Sequence, residues 1–133
     1  MSHENVEIVR GGLRHFQTTG ELPWHVMTQD FVWDMSRFRG WPEQPVYEGT
    51  DGAGRFIEDW GGTWEDWTVE AESFHDAGDT VVMVVRQRGR SKATGISVHM
   101  VMAMVYTLRD GKQVRMVMYA DPSEALKAVG LED

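Results

Sequence analysis

From Thr63 to Ala120 the chain runs as long apolar-rich stretches separated by short turn signals, and no other feature restricts its fold as much. The breaks fall at Asp76-Ala77-Gly78-Asp79, at Ser91 to Gly95 and at Asp110-Gly111, clusters of residue types that accept tight turns. This spacing predicts four consecutive antiparallel strands near 64–75, 79–90, 95–109 and 112–120. In the last hairpin, Leu108-Arg109-Asp110-Gly111-Lys112 suits a three-residue loop with Gly111 left-handed. That loop would pair Leu108 with Lys112, Met104 with Met116 and Met102 with Met118. Met100, Met102, Met104, Met116 and Met118 then share one face, and Val101, Ala103, Val105 and Val117 occupy the other. A sheet that is apolar on both sides at its centre needs a cover on both.

The residues before this meander read as helices. Val6, Val9, Leu13 and Phe16 recur at helical spacing after Ser2, a candidate N-cap, and the helix should stop around Thr18-Thr19-Gly20. Glu21 to Thr28 reads as a second, shorter helix begun near Pro23, and Phe31-Val32-Trp33 as a short strand. Arg37 to Pro45, with Gly40, Pro42 and Pro45, reads as an irregular loop anchored by Trp41, followed by an extended piece at Val46 to Glu48. Thr50 can cap a third helix in which Ala53, Phe56, Ile57 and Trp60 share a face and which Gly61-Gly62 ends. Asp121-Pro122-Ser123-Glu124 carries a cap, a proline at the first helical position and an acid placed for a capping box, so a short C-terminal helix follows and stops at Gly130. Helices first and a meander last indicate an α+β fold, a curved antiparallel sheet with the helices on one face. Because helices in so short a chain are expected to cover one face only, the second is expected to meet another protomer, giving a homodimer through the sheet.

The length of 133 residues fits one domain spanning 1–133 that can hold a core without disulfides or a structural metal. The lack of cysteine removes disulfides, thiolate zinc sites and cysteine nucleophiles. A net charge of −8, from 13 Lys+Arg against 21 Asp+Glu, argues against nucleic acid or an anionic membrane as the main partner. No basic segment followed by an apolar core opens the chain and no apolar run has spanning length, so a cytoplasmic location is expected. The five histidines, at 3, 15, 25, 75 and 99, lack metal-ligand spacing, and neither a metal nor any other cofactor is expected. Six Trp, five Phe and nine Met supply large, adaptable side chains that could line a cavity for a small hydrophobic ligand.

The opening SHENVEIVRGGLRHFQTTGE, the segment DFVWD, the helix after YEGTDGAGRFI, the stretch WEDWTVEAESFHDAGDTVVMVVRQRGR, the YTLRDGKQVRMVMYAD hairpin and the closing EALKAVGLED together resemble the SnoaL-like polyketide cyclase family. That family belongs to the ketosteroid-isomerase and nuclear-transport-factor-2-like superfamily. The resemblance covers nearly the whole chain in order. It implies a cone-shaped, cystatin-like roll with the N-terminal helices on the concave face of the sheet, a cavity between them, and a dimer. It specifies activity less, since this scaffold hosts cyclases, isomerases, dehydratases, epoxide hydrolases and binding modules. Matched to ketosteroid isomerases, a tyrosine on the first helix falls at Leu13 and a central-strand aspartate near Met104. Their base falls at Asp34 or, with a one-residue shift, at Met35. The late-strand aspartate of the cyclases falls near Met118. The usual acids of the cavity are therefore replaced by Met and Leu.

Asp34, after Trp33 at the mouth of the expected pocket, is the remaining candidate for a general base; its plainer reading is a solvated strand-end carboxylate. Phe16, Trp33, Trp41, Phe56, Trp60, Met100, Met102, Met104 and Met118 are the expected cavity lining. Arg86, Arg88 and Arg90 alternate along one strand near Val69, Trp67 and Glu65, where a cation–π contact and exposed ion pairs account for them and an anionic ligand is the alternative. Gly52-Ala53-Gly54 lacks the context of a phosphate loop and suits close helix packing. Two functions compete. One is a dimeric domain that binds a small hydrophobic molecule, with acid–base chemistry of the isomerase or cyclase type through Asp34. The other is a non-catalytic ligand-binding or interaction module whose cavity is filled by its own side chains. Epoxide hydrolysis, which needs a carboxylate pair and an arginine converging in the pocket, ranks last.

Overall fold

The computed structural model describes residues 2–38 and 45–131. Helix α1 (Ser2–Thr19) leads through a single 3₁₀ turn (Trp24–Val26) to strand β1 (Met27–Asp34) and the short β2 (Val46–Glu48). Helix α2 (Gly49–Gly61) precedes the meander β3 (Trp64–Ala77), β4 (Thr80–Ser91), β5 (Ser97–Arg109) and β6 (Lys112–Tyr119), and α3 (Pro122–Ala128) closes the order. The strands form one curled, unclosed sheet in the order β2-β1-β6-β5-β4-β3. The α+β class, the curved sheet and the four meander strands agree with the sequence reading. The sheet is not wholly antiparallel, however. The N-terminal β1 lies beside the C-terminal β6 and pairs with it in parallel, through Trp33 opposite Met116 and Asp34 opposite Val117.

Local chemistry explains most element boundaries. Gly20 takes φ +77, and its N–H reaches Phe16 O at 2.8 Å, so α1 ends where a left-handed residue can close it. Asp121 caps α3 by accepting from Ser123 N at 2.9 Å. The expected second helix over 21–28 shrinks to the 3₁₀ turn, because Val26 N bonds Pro23 O at 3.0 Å and Met27 is already paired with Gln113 of β6. Thr50 does not cap α2: the cap position is Glu48, so the helix starts two residues earlier, at Gly49. The expected tight packing of that helix holds, since a Cβ at Gly52 would sit 2.9 Å from the Tyr47 carbonyl carbon.

The β5–β6 hairpin corrects the expected register. Asp110 (φ 53) and Gly111 (φ 78) form a two-residue turn between Arg109 and Lys112, and the ladder shifts between Thr107 and Leu108. Met104 therefore lies opposite Met118, and Tyr106 opposite Met116. The offset from the expected pairing is two residues, the period of a strand, so the five methionines keep their expected face, while Gln113, beyond the ladder shift, turns inward. Met100, Met102, Met104, Met116 and Met118 join Val81, Met83 and Val85 in the core beneath α1 and α2.

The opposite, outer face holds Val82, Val84, Ala103 and Val105, and here α3 packs through Ala125, Leu126 and Val129. This corrects the expectation that no helix of the chain covers that face: the capped C-terminal segment folds back over it. Val101 stays 39% exposed beyond the reach of α3.

Candidate functional site

Between the inner face of the sheet and helices α1 and α2 lies a cavity with about 60 Å³ of free space. Helix α1 contributes Val9, Leu13 and Phe16 from a single stripe, and α2 contributes Phe56, Ile57 and Trp60. The rings of Trp33, Phe56 and Trp60 form a stack, with centroids 4.5 Å and then 5.8 Å apart. Met83, Met104 and Met118 form the floor. No carboxylate, histidine, lysine or arginine lines the cavity among the described residues.

The polar groups facing this space are Gln87, Tyr106 and Gln113. Gln87 is only 3% exposed, and its carbonyl oxygen accepts two indole N–H bonds, from Trp60 Nε1 at 2.9 Å and Trp67 Nε1 at 2.7 Å. Indoles only donate, so the amide orientation is fixed: the oxygen faces α2 and β3, and Nε2 is left with the sulfur of Met102 at 3.2 Å, a weak acceptor. The Tyr106 hydroxyl meets only the Met104 sulfur, at 3.9 Å. Burial raises the pKa of that phenol well above its ordinary value, so it remains a protonated donor. Trp33 Nε1 is buried with no hydrogen-bond partner. The cavity thus presents donors whose acceptors are sulfur atoms or nothing.

Of the expected lining, Phe16, Trp33, Phe56, Trp60, Met104 and Met118 are brought together here. Met100 and Met102 share the inner core but do not line the cavity, Met102 being engaged with Gln87 instead. Trp41 lies outside the described residues. Leu13, Met104 and Met118, the positions at which the resemblance puts acids, all face the cavity, and its wall is apolar there.

Asp34 is not at the cavity mouth. Phe31, Trp33 and Met35 point into the core, and Asp34 alternates to the outer face, opposite Val117. It is 7% exposed and fully engaged: Oδ1 accepts from Ser36 N at 2.8 Å and Ser36 Oγ at 2.6 Å, and Oδ2 from Arg115 Nη2 at 2.5 Å. The mouth position expected from sequence fails by one residue of alternation. The arginine row on β4 also faces outward. Arg86 pairs with Glu72, and Arg90 reaches Glu65 at 3.3 Å and Asp66 at 3.2 Å. Trp67 stacks on no arginine here; its ring meets Phe16 edge-on at 5.5 Å, and a cation–π contact is instead formed by Arg10 over Phe74 at 4.4 Å.

Sequence reasoning missed Gln87, Tyr106, Trp67 and Gln113. Tyr106 continues the methionine phase of β5, and Gln87 the Val81-Met83-Val85 phase of β4, so alternation could have found both. Gln113 follows the ladder shift, which no local signal fixes. No group of three or more metal-ligating side chains occurs among the described residues, and no described helix is long and apolar enough to cross a membrane.

This arrangement of helices around a curled sheet is shared with known proteins. The model of the SnoaL-like domain family matches residues 24–116, and the chain belongs to that family. Among solved structures it is similar to TerC co-crystallised with polyporic acid, at 19% identity and a TM-score of 0.74, with 95% of this chain and 98% of that one covered. It is likewise similar to an NTF2-like protein from Burkholderia thailandensis E264, at 25% identity and a TM-score of 0.75 over 92% and 95% of the two chains. A third is a protein with a ketosteroid isomerase-like fold from Catenulispora acidiphila DSM 44928 in complex with trimethylamine, at 17% identity and a TM-score of 0.71 over 94% and 93%. No curated protein matches the sequence.

Proposed function

We propose that this SnoaL-like domain is a binding module for a small, uncharged, mainly apolar molecule carrying an acceptor oxygen, held without acid–base turnover. The observation that carries this reading is the chemistry of the cavity wall. Tyr106 and Trp33 offer buried donors without an oxygen or nitrogen acceptor, and Tyr106, the one titratable lining group among the described residues, has its pKa raised further above pH 7 by burial. A general base working near pH 7 needs a pKa near 7, and no lining side chain meets that condition. A ligand carbonyl would give a buried donor its missing partner, in a surround where such a bond is not diluted by water. Co-crystallisation of TerC with polyporic acid gives this fold a precedent for holding an organic ligand.

The free space of about 60 Å³ lies far below the roughly 300–1,000 Å³ typical of ligand pockets. Binding therefore requires Met27, Met83, Met104 and Met118, whose unbranched side chains re-pack readily, to give way. The same small volume favours the second reading, a module whose cavity is its own core. Calorimetric titration with small aryl and alkyl ketones separates the two. Binding that weakens by about two- to tenfold in Tyr106→Phe supports the first, since a neutral hydrogen bond contributes about 0.5–1.5 kcal/mol. Equal affinity in the variant would refute the role given to Tyr106, and no binding at all would leave the self-filled core.

We further propose that the protein forms a homodimer through the outer face of the sheet beside α3, where Val101 is left exposed. Sedimentation at micromolar concentration that returns the 15.2 kDa monomer would exclude it.

A further inference from the structure

The cavity is walled from the surface by very little. Phe16, Ile57, Trp67 and Val69 line it from one side, and the same four residues line, from the other, an open groove of about 560 Å³ between α1, α2 and β3. The partition at its centre is the edge-on pair of Phe16 and Trp67. Trp67 sits where the β3–β4 ladder shifts register between Glu65 and Thr68, next to Asp66 in a left-handed conformation (φ 55), so its segment is not held by regular pairing. Its ring is fixed by Phe16 and by the bond to Gln87. Farther along the groove, Gln17 Nε2 donates to Val69 O at 2.7 Å and ties α1 to β3.

Resting on the binding-module reading, we infer that the ligand is elongated: its acceptor head lies beside Tyr106 in the cavity, and an unbranched apolar tail passes between Phe16 and Trp67 into the groove. The size of the two spaces argues for this. The inner one alone is too small for most organic ligands, whereas the outer one adds apolar wall contiguous with it. Charge narrows the class. Among the described residues no lysine or arginine lines either space, in a protein of net charge −8, so the emerging end of the tail is not a carboxylate. The chemical class is a straight-chain neutral compound with a carbonyl near one end. Trp67 is the specificity-determining residue that such a chain displaces.

A homologous series of 2-alkanones, from 2-butanone to 2-dodecanone, tests this by calorimetry on the full chain. Once the chain outgrows the cavity, the dissociation constant should tighten by up to about fourfold per added methylene, the factor that follows from burying one methylene group. Gln17→Trp, at an exposed groove position on α1 outside the cavity lining, should abolish that gain and leave 2-butanone binding unchanged, with circular dichroism confirming the fold. Short ketones that bind with no gain on lengthening would overturn the groove inference and leave the binding module standing. A gain that persists undiminished in Gln17→Trp would also overturn it. Failure of every ketone to bind would overturn the binding-module reading, and this inference with it.

Discussion

Replacing Gln87 by leucine tests the organisation of the cavity wall at its centre. Leucine fills similar space in a residue that is 3% exposed, so the change is chiefly chemical: one oxygen that satisfies two indole donors is removed. Trp60 is buried, and its N–H has no route to water, which places its loss in the range of about 1–3 kcal/mol for an orphaned buried donor. Trp67 is half-buried and can turn toward the groove, so its share falls at the low end of that range. The sum is about 2–4 kcal/mol, a large part of the roughly 5–15 kcal/mol total stability of a domain. For a chain of this length, 1 kcal/mol shifts Tm by about 3–4 °C, so a loss of about 7–14 °C is expected in thermal unfolding followed by circular dichroism. The decisive control is the background in which Trp60 and Trp67 are both phenylalanine. There, Gln87→Leu should cost less than about 1 kcal/mol, because no donor remains to be orphaned. An equal cost in both backgrounds would refute the claim that Gln87 acts as the shared acceptor.

Asp34→Asn should leave ketone affinity unchanged, because Asp34 lies on the outer face, and should cost about 1 kcal/mol, since its partner Arg115 is half in water; weakened binding in this variant would return Asp34 to the site. The raised pKa of Tyr106 makes stability fully present below about pH 10, where the unfolded phenol is also protonated, and lost as pH rises further because only the unfolded state then gives up the proton. Denaturant titrations above pH 10 should therefore show a steeper loss in wild type than in Tyr106→Phe, by up to about 1.4 kcal/mol per pH unit, and identical limbs would contradict the burial of that hydroxyl. Gly52→Ala, which helix propensity alone would favour, should destabilise by about 1–3 kcal/mol through the clash with the Tyr47 backbone, and a gain in Tm would disprove the close approach of α2 to β2.

Much of the scaffold is written locally. Gly20, Asp121 and the turns at 76–79 and 110–111 carry their instructions within a few residues, and the methionine phase of β5 and β6 survives even a wrong loop length because the error is an even number of residues. The remainder depends on partners far along the chain. Nothing near Phe31 announces a parallel neighbour in β6, and the apolar stripe of Ala125, Leu126 and Val129 does not name the face it covers. The cavity suffered most from this. Asp34 follows the inward-facing Trp33, but in a strand adjacent residues point to opposite faces, so nearness in sequence does not bring its carboxylate to the cavity. Gln87 lies between two arginines that alternate on the outer face, and its phase with Met83 and Val85 is the signal that it turns inward.

The parallel pairing of β1 with β6 also bears on how the molecule comes together. The four meander strands close by short turns, whereas bringing Met27 beside Gln113 requires closing almost the whole intervening chain, and loop-closure entropy delays such contacts. On this ground the meander is expected to form first, with β1 and α2 docking on it later. Because Trp33, Phe56 and Trp60 belong to the later part, the cavity is expected to be among the last features to form. A molecule held there would lengthen the lifetime of the folded state and leave the folding rate almost untouched.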